Sequence, residues 1–394
     1  MEQVKLGIIG IGNMGSGHCN NILAGKTPEI TLAAVADRKE ARRTWAKENL
    51  PENVAIFTTG EELIESGLCD AVLVAVPHYD HPRYVIMALE HGLHVMSEKP
   101  AGVYAKQVRE MNEAAAKSDR IFGMMFNQRT NCVYRKMHEM VQSGKYGQIK
   151  RVNWIITDWY RTQAYYNSGE WRATWDGEGG GVLLNQCPHN LDLLQWICGL
   201  PTRVHAFCHN GKWHDIEVED DVTAYLEFEN GATGVFVTTT ADAPGTNRLE
   251  ITLECGRLIA EHDKLTFFEL DQNEREYCFA AKTGFDQPTG HEYEVPLDGE
   301  NPQHVGVLNA FSGAILRGEP LVADGTEGIR GLQLSNAMHL SSWLDQTVTL
   351  PVDEDLFLEK LNEHRAASKG KKDVQEVTFD TSTRSGRKVK EEDL

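Results

Sequence analysis

The sequence predicts an α/β protein: an N-terminal doubly wound parallel sheet, then an α+β unit built on an open, largely antiparallel sheet. Three observations carry this expectation. The apolar run Val4–Ile9 leads into Gly10-Ile11-Gly12-Asn13-Met14-Gly15 and a helical stretch through Ile22 and Leu23. That strand–turn–helix setting gives a glycine fingerprint its meaning. Apolar strands then alternate with helical stretches to about residue 126, the pattern of a parallel sheet covered on both faces. From about residue 149, strand-like runs follow one another with short connections, which favours antiparallel pairing.

The first half reads as strands at Val4–Ile9, Ile30–Ala36, Val54–Phe57, Ala71–Val76, His94–Ser97 and Ile121–Phe126. Helices fall between them at Glu61–Ser66, Tyr84–His91 and Ala105–Ser118, the second of these closed by Gly92. A helix over Val133–Ser143 precedes a strand at Ile149–Thr157. Later strands read at Val204–Cys208, Thr223–Phe228, Thr233–Thr240, Leu249–Glu254 and Leu265–Leu270, with turns such as Glu229-Asn230-Gly231 between them. Helices close the pattern at Val305–Leu316 and Gly328–Leu344. From about Lys369 the chain is rich in Lys, Glu, Ser and Thr and has little to bury, so it reads as a mobile tail or an arm on a partner subunit.

Composition narrows the function classes. At 394 residues the chain is long enough for two domains and a tail. A net charge of −19 argues against nucleic-acid and anionic-membrane partners. No run approaches the roughly 18 apolar residues that a membrane helix needs, and the N-terminus shows no apolar signal region. Eight cysteines lie scattered without a C-x-x-C pair. That spacing predicts reduced thiols in a cytoplasmic protein rather than a disulfide framework or a zinc site.

Each glycine of the fingerprint has a steric task. Gly10 allows the tight turn, Gly12 lets backbone approach a pyrophosphate, and Gly15 allows helix–strand packing, with the helix N-terminus, Asn13 and Met14 facing the phosphates. Asp37 ends the second strand 22 residues past Gly15, the spacing of a carboxylate that binds the adenosine ribose. It favours NAD over NADP, with Arg38 beside it as a partial offset. Ligands on such sheets sit at the carboxyl ends of strands. There the glycine turn converges with the Val76-Pro77-His78-Tyr79-Asp80-His81 turn and with Glu98-Lys99-Pro100. Lys99 ends a strand on that side, and Pro100 biases it toward extended backbone. A lysine there suits holding or relaying a substrate proton, and equally suits a solvated surface.

The most informative stretch of the second half runs from Gly177 to Asp192. A glycine run, an apolar run and Pro188 open a helix on which Leu191, Leu194, Trp196 and Ile197 recur at helical spacing. His189 and Asp192 are neighbours on one face, with Asn185 just upstream. Taken alone, His189 suits a core or capping histidine as well as the floor of a substrate cleft. The preceding segment carries Tyr160, Tyr165, Trp171, Arg172 and Trp175. Rings of this kind stack on sugar faces and arginines read hydroxyls, though the same residues serve ordinary cores.

Gly10–Gly15, Glu98-Lys99-Pro100, Asn127-Gln128-Arg129 and Gly179–Asp192 stand in an order and spacing that resembles the Gfo/Idh/MocA oxidoreductases over about residues 1–350. The resemblance implies a Rossmann domain at 1–126 and a substrate-binding and oligomerisation domain at 127–352. A C-terminal helix and tail would fill 353–394. It implies NAD as cofactor, contacted by Gly10, Gly12, Asn13, Met14, Asp37, Arg38, Val76, Pro77, His78, His81, Glu98, Lys99 and Gln128, with no metal. Lys99 and His189 would act on a substrate hydroxyl, with Asn185 standing where the family usually has Asp. Asn orients a hydroxyl but takes no proton near neutral pH, which leaves the base role to His189. Substrate contacts would come from Lys99, Arg129, Tyr160, Tyr165, Trp171, Arg172, Trp175, Asn185 and His189. The implied activity is oxidation of a ring hydroxyl in a sugar, cyclitol or glycoside, glycoside 3-oxidation included, by a dimer or tetramer assembled through the C-terminal sheet. Two alternatives remain open at this stage. One is an enzyme that retains and recycles NAD, as an NAD-dependent glycosidase or a sugar–sugar oxidoreductase does. The other is an NAD-sensing regulator.

Overall fold

A computed structural model describes residues 2–371 and 374. The mobile tail or arm expected from about Lys369 lies almost wholly outside the described residues. The N-terminal unit runs β1 (Val4–Ile9), α1 (Asn13–Leu23), β2 (Ile30–Ala36), α2 (Glu40–Asn49), β3 (Ala55–Phe57), α3 (Gly60–Glu65), β4 (Ala71–Val74), α4 (His81–Glu90), β5 (His94–Ser97), α5 (Ala105–Ala115) and β6 (Phe122–Met124). All six strands are parallel, in the order β3-β2-β1-β4-β5-β6. The strand order reverses between β1 and β4, which opens a crevice at their carboxyl ends. β4 is buried at every position, as a strand covered on both faces must be.

The chain continues through α6 (Cys132–Gln142), β7 (Ile149–Ile156), α7 (Gln163–Asn167), α8 (Pro188–Cys198), β8 (Arg203–Asn210), β9 (Glu219–Glu227), β10 (Thr233–Thr239), β11 (Asn247–Leu253), β12 (Gly256–Glu261) and β13 (Lys264–Leu270). It ends with α9 (Glu274–Ala280), β14 (Gly290–Glu294), α10 (Gln303–Arg317), α11 (Gly328–Leu344), β15 (Val348–Thr349) and α12 (Glu354–Ala367). The second sheet orders its nine strands β14-β13-β12-β11-β7-β10-β9-β8-β15. Every pairing in it is antiparallel except β7 with β10. Strand alternation is regular. On β7, Val152, Trp154 and Ile156 are buried while Arg151, Asn153 and Ile155 face outward. Helices α6, α8 and α11 pack on the inner side, so one face of this sheet stays open.

Two features tie the units together. Val307, Leu308 and Phe311 of α10 join the apolar cluster of Val4, Leu6, Ile8 and Met96, so the first sheet is covered by residues that follow β14 of the second. Asp324 also bridges to Gly123 of β6. Each fully buried aliphatic or aromatic side chain in such a cluster contributes about 1.5–3 kcal/mol. Among the described residues no helix is long and apolar enough to cross a membrane. All eight cysteines are unpaired.

Candidate active site

The glycine turn does what its spacing requires. A Cβ on Gly10 would lie 2.5 Å from the Ala75 carbonyl oxygen, and one on Gly15 only 1.9 Å from the Gly10 oxygen. Nothing stands within 4 Å of the corresponding position on Gly12, which leaves that backbone open to an incoming group. Beside it Asn13 Oδ1 is buried and has no hydrogen-bond partner among the described residues. Asp37 Oδ2 accepts from the Ile11 amide at 2.9 Å, and Oδ1 from the Lys39 amide at 2.9 Å. The carboxylate is thus locked against the turn while staying half-exposed. Open backbone, an orphaned buried oxygen at a helix N-terminus and an oriented carboxylate fit a dinucleotide. Met14 lies in the same helical turn. Arg38 points to Tyr84, its guanidinium donating to the hydroxyl at 3.1 Å.

Glu98-Lys99-Pro100 follows β5 at the same edge, with a cis Lys99–Pro100 bond. Glu98 is buried and holds His18 Nε2 of α1 at 2.7 Å. Burial pushes this carboxyl up. The hydrogen bond and charge of His18, with His304 and Lys99, outweigh that and hold it well below the usual carboxylate range. His81 is equally constrained: Nδ1 lies 2.6 Å from the Pro100 oxygen and Nε2 lies 2.7 Å from the Val76 oxygen. It ties the Val76–Pro77 turn to the Lys99–Pro100 turn. His78 is buried against Trp171, with ring centroids 5.5 Å apart. Burial, with His81, Lys99 and Arg172 nearby, lowers its pKa well below the usual imidazole value. Gln128 donates to Gln303 Oε1 at 3.1 Å.

The two units meet at Lys99. Its Nζ donates to the backbone oxygen of Asn185 at 3.0 Å. Asn185 sits in the turn that feeds α8, whose first residues are Pro188 and His189. That turn is held by a carboxylate the sequence did not single out. Glu219 is fully buried and accepts from the Gly181 amide at 2.9 Å and from the Leu183 amide at 3.0 Å, with His339 Nε2 lying 3.0 Å from Oε2. Gly181 is required there, since a Cβ would meet the Glu219 backbone oxygen at 1.9 Å. A second buried carboxyl, Glu178, touches the Asn185 side-chain amide and the Ala173 amide. His78 Nδ1 lies 3.3 Å from the Glu178 backbone oxygen. Burial pushes the Glu178 carboxyl up against the opposing charge of Arg172 and its hydrogen bonds to Ala173 and Asn185. His189 is buried, with the Phe126 ring edge-on at 6.5 Å. Glu178 lies inside a glycine-rich run, where composition reads as a loop, and a charged residue inside a run that must be buried was its available signal. Glu219 opens β9, 38 residues from the Gly181 amide it holds, and carries no such signal.

The aromatic segment divides. Arg172 lies over Trp171 and over Tyr165, 4.6 Å from each ring centroid, and donates to the Tyr165 hydroxyl at 2.9 Å. Gln186, next to Asn185, donates to the same hydroxyl at 3.3 Å. Tyr165, Trp171, Arg172, His78, Glu178, Asn185 and Lys99 therefore form one connected cluster. Arg129, expected to contact substrate, is not among the residues that this cluster joins. Its Nε and Nη2 donate to both oxygens of buried Asp192 at 2.8 and 2.7 Å, and Nη1 meets Glu327 at 2.7 Å. Trp175, also expected to contact substrate, packs elsewhere. It is buried on His339, Trp343 and His364, with centroids 5.6, 5.6 and 4.9 Å away. Tyr160 is about half-exposed, and its carbonyl accepts from the Arg161 side chain at 2.8 Å.

A dinucleotide cradle and a lysine at the carboxyl edge of a parallel sheet, with a histidine and carboxamides brought to that edge by a turn and helix of the second unit, is the architecture of a nicotinamide-dependent oxidoreductase. Residues 4–126 match the oxidoreductase family with the NAD-binding Rossmann fold, and residues 134–259 match its C-terminal domain. The chain belongs to the Gfo/Idh/MocA family and is an NAD-binding oxidoreductase.

Among its relatives, myo-inositol 2-dehydrogenase of Thermotoga maritima is 26% identical over 340 residues, 85% of this chain and 95% of that protein. D-glucoside 3-dehydrogenase of Escherichia coli is 28% identical over 222 residues, 52% of this chain and 61% of that protein. The WlbA dehydrogenase of Chromobacterium violaceum, solved with NADH and UDP-GlcNAcA, is similar with a TM-score of 0.75 at 26% identity. It covers 90% of this chain and 97% of its own.

Proposed function

We propose that this protein oxidises a ring hydroxyl of a sugar, cyclitol or glycoside, with NAD taking the hydride. The observation that carries the reading is the Lys99–Asn185 contact, which brings the cofactor edge of the first sheet to the turn that bears His189. The relatives named for inositol and glucoside oxidation, and the neighbour solved with a nucleotide sugar acid, support the substrate class.

In this reading His189 accepts the proton of the hydroxyl as its carbon loses hydride. The Lys99 ammonium stabilises the oxygen as negative charge develops on it. Asn185 orients the hydroxyl by hydrogen bonding. Trp171 and Tyr165, braced by Arg172, offer ring faces to the sugar. When bound, NAD supplies the hydride acceptor, and Gly10, Gly12, Asn13 and Asp37 hold it.

The open face of the second sheet suits a second copy of the chain. Ile155, Phe207 and Tyr225 stand on it and are about half-exposed, more apolar surface than a lone sheet face needs.

The direct test is the ultraviolet absorbance of reduced nicotinamide when the protein meets NAD and a panel of inositols, glucose, anhydrosugars and aryl glycosides. Accumulating NADH with at least one ring polyol is expected. Silence across the whole panel would remove the proposal. A second measurement concerns Asp37. Asp37→Ser removes the charge that repels a 2′-phosphate and should move preference toward NADP by about tenfold or more. A parent that already prefers NADP would contradict this role.

A further inference from the structure

We propose that Glu178 is a positioning residue of this site. It fixes the side-chain amide of Asn185 so that Oδ1, and not Nδ2, is offered to the carbohydrate hydroxyl. This rests on the carbohydrate-oxidising reading above and adds to it a carboxylate that the chemistry there does not use.

The geometry is specific. Glu178 is 2% exposed and lies between two donors: Oε2 faces the Ala173 amide and Oε1 faces Asn185 Nδ2. A carboxylate only accepts hydrogen bonds, so the amide prong turned toward it must be Nδ2. The two prongs of a planar amide are opposed, so Oδ1 points away from Glu178. At the same residue, the backbone oxygen is held by Lys99 Nζ at 3.0 Å. The position of Asn185 is thus fixed by Lys99, and the sense of its amide by Glu178.

A purely structural role would need only one acceptor for the Ala173 amide. Glu178→Gln separates the two roles. Its carbonyl oxygen still serves Ala173, while its NH2 now faces Asn185. Two NH2 groups cannot bond each other, so the Asn185 amide must turn and offer Nδ2 to the substrate.

Glu178→Gln should lower kcat/KM for the carbohydrate by about 10–100-fold, the cost of leaving a positioned polar partner unmatched. The NAD dissociation constant should stay within about twofold, since none of the dinucleotide contacts involves Glu178. Adding Asn185→Asp to Glu178→Gln restores an acceptor. A carboxylate at 185 accepts a hydrogen bond from the carboxamide NH2 on one oxygen and presents the other to the hydroxyl. The double variant should recover most of the lost kcat/KM, a rescue that loss of packing would not give.

The inference is overturned if Glu178→Gln keeps parental kcat/KM, or if the double variant is no better than the single. Should Glu178→Gln fail to fold, Asn185→Leu decides. It removes the acceptor at similar size and must show the same loss with NAD binding intact, so parental kcat/KM in Asn185→Leu overturns the inference. A parent protein that turns over no carbohydrate overturns the functional reading and this inference together. A parent that does, matched by Glu178→Gln, overturns this inference alone.

Discussion

Lys99→Met should lower turnover by about 10²–10⁴, the usual worth of a positioned acid–base or electrostatic group, with NAD affinity nearly unchanged. Methionine keeps the length and much of the bulk of the side chain while deleting its charge and its donors. The dinucleotide contacts lie at the glycine turn and Asp37, on neighbouring strands of the same sheet, so they survive the change. His189→Ala should cost a similar factor. The double variant should lose far less than the product of the two, because groups that act on one oxygen fail as a unit. Single-turnover hydride transfer and NAD titration on the three variants provide the measurement. Lys99→Met with near-parental turnover, or with lost NAD binding as its sole defect, would assign Lys99 to structure and remove it from the chemistry.

What was legible in the sequence had a local steric or periodic cause. Gly10 and Gly15 announce themselves because a Cβ at either would collide with backbone oxygen, and the spacing to Asp37 follows from one βαβ unit. The all-buried β4 and the alternating β7 read directly as parallel and half-open strands. What was missed depends on partners distant in sequence. Helix α10 follows β14 of the second sheet yet packs on β1. The parallel pairing of β7 with β10 inserts a late strand beside an early one. The short strands β14 and β15 and helix α2 carry too few apolar residues to stand out. Their register comes from neighbours rather than from their own pattern. The same limit applies to the site. Lys99, Asn185 and His189 were legible as motif members. Glu219 lies 38 residues from the Gly181 amide that it holds, and no local pattern announces such a partner.

Arg129 and Trp175 show the limit from the other side: residue types that suit sugar recognition are used here to hold the scaffold. For Arg129 this predicts a large stability effect. Arg129→Met should destabilise the fold by about 3–5 kcal/mol, because it strands the fully buried carboxylate of Asp192. The guanidinium spans both oxygens of Asp192, reaches Glu327, and lies 5.5 and 5.2 Å from the Phe126 and Trp196 ring centroids. Methionine replaces some of that packing and none of the charge. Arg129→Met with Asp192→Leu removes both buried charges, and should be more stable than Arg129→Met alone, since the penalty lies in the unpaired ion rather than in the absent bridge. Urea unfolding midpoints on parent, single and double variants measure this. Asp192 stands one helical turn beyond His189 on α8, so a loosened single variant should lose turnover in proportion to its lost folded fraction, with KM for the carbohydrate unchanged. A rise in KM without loss of stability would instead return Arg129 to the substrate. A double variant less stable than Arg129→Met would show that Asp192 is held by more than this arginine, with Gln195, which donates to it at 3.0 Å, as the remaining partner.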